Sequence, residues 1–117
     1  MVRMKLQMYK LIDNFLPKDK FKRIQDIVFS DVFPYYYYPQ LNPSQKEDEL
    51  SSYFTHTLFT QNRNYVASDF YNEFRLIEDI LDVKALIRMK VNLYPRGNEL
   101  ETHALHSDRD FEHKGCI

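Results

Sequence analysis

The sequence holds a single cysteine, Cys116, and so cannot form an internal disulfide, which fits a reducing, cytoplasmic setting. Glycine is nearly absent, with Gly97 and Gly115 the only two, while aromatics make up 15% of the chain. That balance excludes low-complexity and disordered classes, and no repeat period is visible. A continuous apolar run is missing as well: residues 1–10 interleave Arg3, Lys5 and Lys10 with apolar side chains, excluding a secretory leader and a membrane span there. No sign of charge dominates, since 16 basic and 17 acidic residues leave a formal −1. The whole-chain electrostatic case for nucleic acid is therefore absent. What remains is 44% hydrophobic content over 117 residues, enough for one small globular domain spanning 1–117 and not for two.

Along the chain, residues 7–12 alternate weakly and predict a short strand. Asn14, Phe15, Leu16 and Pro17 then give a turn with a proline suited to a first helical turn. Residues 18–29 predict a helix, with Phe21, Ile24 and Val28 on one stripe and Lys20, Lys22, Arg23 and Asp26 opposite. Four tyrosines, Tyr35 to Tyr38, lie between Pro34 and Pro39 and should be extended; the expectation is that alternate rings fill core while the others turn their hydroxyls to water. A polar connection follows over 41–49. Residues 52–59 predict a strand with Tyr53, Thr55, Thr57 and Phe59 on one face and Phe54, His56 and Leu58 on the other. A lone histidine among apolar neighbours reads as a hydrogen-bonded packing residue, not a ligand. After a turn at 61–64, a second helix should run from a Ser68 cap to Leu81, with Phe70, Phe74, Ile77 and Leu81 inward. Two amphipathic helices and a half-buried strand imply a helix layer on one side of a sheet.

The chemistry concentrates in the last third. Over 85–94, Ala85, Ile87, Met89, Val91 and Leu93 share one face and Leu86, Arg88, Lys90, Asn92 and Tyr94 the other, the pattern of a strand with one apolar and one polar side. Pro95 cannot donate to a ladder and Gly97 allows a turn, so the strand should end there. His106 and Asp108 are two apart, and an extended backbone projects both from one face. An imidazole nitrogen and a carboxylate oxygen, joined by one more histidine, form the facial triad of non-haem Fe(II) oxygenases, which leaves coordination positions open. His103 is an odd number of residues from His106 and falls on the opposite face; His113 reads as solvent-facing, and residues 114–117 read as a turn followed by the start of another strand. Arg88 and Lys90 read as a solvated strand face. A hydrolytic zinc site has no His-Glu-x-x-His or Cys-x-x-Cys spacing behind it.

The ordered combination Asn92-x-Tyr94-x-x-Gly97, a short excursion, then His106-x-Asp108 resembles the Fe(II)/2-oxoglutarate-dependent dioxygenases, in particular their prolyl-hydroxylase-like and nucleobase-demethylase-like branches. Tyr94-Pro95 tilts the likeness toward the prolyl-hydroxylase-like one. The resemblance covers residues 87–117, with a vaguer likeness at 11–17. It implies an α+β fold built on a partial double-stranded β-helix (jelly-roll, cupin-like), with the two amphipathic helices packed outside the larger sheet. It further implies that His106 and Asp108 are metal ligands for Fe(II), that Tyr94 and Asn92 bind 2-oxoglutarate, and that dioxygen is the other co-substrate. The activity it implies is hydroxylation of a substrate C–H bond coupled to decarboxylation of 2-oxoglutarate to succinate and CO₂. The substrate is left open among a prolyl or other protein side chain, a nucleobase and a small molecule.

In that family the second histidine ligand and the basic residue for 2-oxoglutarate lie on strands well beyond the His-x-Asp. A jelly-roll needs roughly 80 residues of barrel, more than follow Ala85. The expectation is therefore an N-terminal part of an oxygenase domain, with the C-terminal half of the barrel beyond Ile117 and little activity in the 117-residue chain alone. The alternative is a non-catalytic interaction module, or an inactive remnant, in which His106 and Asp108 pair with each other and the tyrosine segment docks a partner.

Overall fold

A computed structural model describes residues 9–39, 52–63, 65–97 and 110–117. Within them the chain is α+β. Its elements in order are α1 (Lys18–Val28), β1 (Tyr36–Tyr38), β2 (Tyr53–Thr60), β3 (Tyr65–Val66), α2 (Tyr71–Leu81) and β4 (Arg88–Leu93), with a 3₁₀ turn at Gln61–Arg63 between β2 and β3.

The sheet is organised on β2. One edge of β2 carries β4 antiparallel along almost its whole length, from Phe54 opposite Leu93 to Thr60 opposite Arg88. The other edge is shared: β1 takes its first three residues, with Tyr36 opposite Thr55, and β3 takes Phe59 and Thr60. Four strands thus make a sheet three strands wide among the described residues.

Strict alternation fails once, and usefully. Thr57 faces Lys90 but Phe59 faces Met89, so β2 carries one extra residue at Leu58, a β-bulge. The predicted faces put Phe59 with Thr55 and Thr57; the bulge turns it to the opposite face, where its ring lies 5.7 Å from that of Tyr71 beside Leu58.

Both helices cover that one face. Ile24, Ile27 and Val28 of α1 and Tyr71, Phe74 and Ile77 of α2 pack with Phe33, Phe70, Leu58, Phe59, Met89 and Val91 into the core. Leu58 is fully buried, and burial of a leucine side chain contributes about 1.5–3 kcal/mol. The stripe of α1 is displaced from its predicted position: Ile27 takes the buried place, and Phe21 is 55% exposed. In α2 the buried Tyr71 was not foreseen, and Leu81 is exposed. Arg23 ties the helices together on the outside through Nη2 to Glu73 Oε1 at 3.0 Å; this hydrogen bond holds the Glu73 carboxyl below the usual carboxylate range.

Local chemistry sets the ends of the helices. Asn14 takes a left-handed φ of 53°, which its short polar side chain tolerates, and the turn delivers Pro17 to the position just before α1. Asp82 closes α2 in the left-handed conformation, with Val83 N–H reaching back to the Glu78 carbonyl at 3.0 Å, as a helix-ending αL residue does. Ser68 stands two residues further from α2 than a helix cap: its Oγ accepts the N–H of Phe70 at 3.2 Å, capping the turn that leads into the helix.

Three predicted features differ. Residues 9–12 form no strand and are exposed, while 7 and 8 lie outside the described residues. Tyr35 turns inward and donates its hydroxyl to the Val28 carbonyl at 2.9 Å, and burial pushes its phenol up; Tyr37, which alternation would pair with it, is 62% exposed on an edge strand. Residues 114–117, expected to begin a strand, are exposed and irregular. The connection at 41–49 lies outside the described residues.

Candidate functional site

The face of the sheet away from the helices is where the predicted co-substrate residues sit. Met89 and Val91 pack into the core, so their neighbours Lys90 and Asn92 project to the other side. Cross-strand register brings Thr55 opposite Asn92, Thr57 opposite Lys90, Tyr36 opposite Thr55 and Tyr38 opposite Tyr53, all on that face.

A hydrogen-bonded chain crosses it. Thr55 Oγ1 donates to Asn92 Oδ1 at 3.0 Å, and Asn92 Nδ2 donates to the Tyr94 hydroxyl oxygen at 3.3 Å. The Tyr94 ring, just past the end of β4, stacks on Tyr53 with centroids 5.3 Å apart and planes 15° apart. Tyr38 meets the same Tyr53 ring at 5.3 Å from β1. The three rings form a ladder across three strands, its middle member buried and its outer members 44% and 47% exposed. Lys90 Nζ lies 3.4 Å from the Tyr53 hydroxyl and 5.5 Å from its ring centroid, placing a cation on this face. Hydroxyl, amide and ammonium donors converging on one face are a donor set suited to a carboxylate.

Asn92 and Tyr94 thus come together as the sequence reading expected. His106 and Asp108 lie outside the described residues, as does His103. An imidazole and a carboxylate are ligands suited to Fe(II) by their chemistry. Among the described residues, no group of three or more His, Cys, Asp or Glu side chains comes together.

His56 belongs to the other face. It is buried and stacked on Phe33 with centroids 4.0 Å apart. Its Nδ1 lies 2.7 Å from the Pro34 carbonyl oxygen and its Nε2 2.6 Å from Ser68 Oγ. A carbonyl only accepts, so Nδ1 carries a proton; Nε2 then accepts from Ser68, whose oxygen in turn accepts from Phe70 N–H. His56 is a packing residue satisfied at both nitrogens, as expected. His113 is exposed and its Nδ1 donates to the Phe111 carbonyl at 2.9 Å.

Two members of the site were not foreseen, Thr55 and Tyr53. Alternation put both on one face of β2 but could not join that face to Asn92 and Tyr94, because cross-strand register depends on the bulge and on connections whose geometry no local pattern encodes. A polar residue alternating with apolar ones on the strand paired to the Asn-x-Tyr is the signal that finds Thr55. Among the described residues, no helix is long and apolar enough to cross a membrane. No family model, curated protein or solved structure matches the chain.

Proposed function

We propose that this chain carries the co-substrate-binding part of a non-haem iron- and 2-oxoglutarate-dependent dioxygenase, a hydroxylase of the prolyl-hydroxylase-like branch acting on a C–H bond of a protein side chain or another substrate. The observation that carries the reading is the pairing of Asn92 with Tyr94 on the sheet face opposite the helices, in a segment followed by His106-x-Asp108. A helix layer on one face and a polar, aromatic face on the other also accord with the larger sheet of a jelly-roll.

In this reading His106 and Asp108 hold Fe(II), which when bound supplies the reactivity that couples decarboxylation of 2-oxoglutarate to hydroxylation. Tyr94 and Asn92 orient the co-substrate by hydrogen bonds to a carboxylate. The tyrosine ladder lays an aromatic surface beside Asn92, and Lys90 adds positive charge on the side where an acid binds. The protein's part is position, and no general base is assigned.

The test is succinate formation from 2-oxoglutarate by the complete gene product supplied with Fe(II). His106→Ala should abolish it, and Tyr94→Phe should raise the KM for 2-oxoglutarate. Unaltered turnover in His106→Ala would remove the reading. One observation favours a second reading, a non-catalytic interaction module: Tyr36, Tyr37 and Tyr38 on the edge strand are 65%, 62% and 44% exposed. A complete gene product with no measurable affinity for Fe(II) or Mn(II) would favour it.

A further inference from the structure

We propose that Ser68 and His56 form a nucleophile–base pair that takes a short, uncharged acyl group from an activated ester, an activity separate from the oxygenase reading.

The pair is assembled from three segments. His56 stands on β2, Ser68 on the connection between β3 and α2, and Pro34 just before β1. The Pro34 carbonyl, 2.7 Å from Nδ1, keeps the proton on that nitrogen, and Nε2 therefore turns a lone pair to the Ser68 hydroxyl at 2.6 Å. A hydroxyl within hydrogen-bond reach of a base, itself oriented by a third group, is the arrangement that activates a serine. The packing that buries the imidazole also keeps it from turning: Phe33 stacks on its face at 4.0 Å, and Phe70 meets it edge-on at 5.9 Å.

Ser68 is held as firmly. Ala67 N–H donates to the Leu58 carbonyl at 2.9 Å, and the Ser68 carbonyl accepts from Tyr71 N–H at 3.1 Å, so the backbone is tied on both sides. Phe70 N–H reaches Oγ at 3.2 Å and stabilises the negative charge that grows there as the proton leaves. Ser68 is half-buried between exposed Ala67 and exposed Asp69, so an ester reaches it from solvent while the buried imidazole stays behind it. Val66 and Ala67 offer that ester an apolar surface, and the Asp69 carboxylate disfavours an anionic acyl group.

In the transfer, Oγ bonds to the acyl carbon, the bond from that carbon to the leaving oxygen breaks, and the hydroxyl proton passes to Nε2 and on to the departing oxygen. Water then attacks the acyl-serine, gives a proton to Nε2 that returns to Oγ, and releases the carboxylic acid.

The experiment treats the complete gene product with p-nitrophenyl acetate in the presence of a metal chelator and follows acetylation of each serine by peptide mass spectrometry. Ser68 should acetylate about a hundredfold faster than Ser30, the gain expected from a positioned base. Ser30 is half-buried like Ser68, but its hydroxyl donates to the Ile27 carbonyl at 2.8 Å and has no base beside it. His56→Phe, its fold checked by circular dichroism, should bring Ser68 down to the Ser30 rate. Acetylation of Ser68 no faster than that of Ser30 in the wild type overturns the pair, and that comparison needs no variant to fold. An unchanged Ser68 rate in folded His56→Phe overturns it as well. With metal chelated, neither result touches the oxygenase reading, which stands or falls on succinate formation.

Discussion

Replacing His56 by phenylalanine separates its two possible employments, packing and metal binding. The substitution keeps a flat ring against Phe33, where the centroids are 4.0 Å apart, and removes the bonds at 2.7 Å to the Pro34 carbonyl and 2.6 Å to Ser68 Oγ. A neutral hydrogen bond contributes about 1 kcal/mol net, and a partner left without one in a buried place costs more. Pro34 is exposed as a residue, so water softens the loss there; half-buried Ser68 keeps its bond from Phe70 N–H. The sum is a destabilisation of roughly 2–3 kcal/mol. For a domain of this size that lowers the melting temperature by roughly 6–15 °C, read by circular dichroism in parallel with a urea titration. Affinity for Mn(II) should not change, because His56 faces the helices and Asn92 and Tyr94 face away from them. An unshifted melting temperature would refute the relay from Pro34 through His56 to Ser68. A loss of Mn(II) affinity in the folded variant would refute the assignment of His56 to the helical face.

Leu58→Ala empties the most buried side chain of the core at the bulge, and should cost about 3–5 kcal/mol in chemical denaturation; a loss below about 1 kcal/mol would mean the helices do not close over β2 there. Tyr71 supplies an alkaline prediction: burial, and then the 2.5 Å hydrogen bond to Glu78, push its phenol up to about 12. The fold thus favours the protonated phenol, a contribution fully present below the ordinary value of 10.0 and lost as pH rises through about 12. Tyr71→Phe should flatten the decline of stability between those two pH values, and an ultraviolet titration should lose a tyrosine that ionises at about 12.

The elements were legible where periodicity and burial agree. Helix α1 ends one residue from its expected limit, and the two faces of β4 divide as alternation divides them, since Met89 and Val91 are apolar and Lys90 and Asn92 are not. What failed was non-local. Phe21 has the right spacing for the α1 stripe, but the layer beneath α1 reaches only Ile24, Ile27 and Val28. Phe59 changes sides because of one surplus residue, and no propensity announces a bulge. Tyr65–Val66 is too short to show a period, and exists as β3 because the β2 edge beyond β1 is vacant for pairing. Of the site, the Asn92-Tyr94 half was readable as a motif, whereas Thr55 became visible only through the register that sets it opposite Asn92.

The doubled position at Leu58 and Phe59 works as a detent between β2 and β4. Sliding β4 one step would swing Asn92 and Tyr94 under the helices, and sliding it two would preserve their side but part them from Thr55 and Tyr53. Either slip would take Met89 away from its place opposite Phe59. A kink needed to fill the interior on one surface thereby fixes the address of the polar groups on the other, and sequence drift in the connecting segments can proceed without moving them.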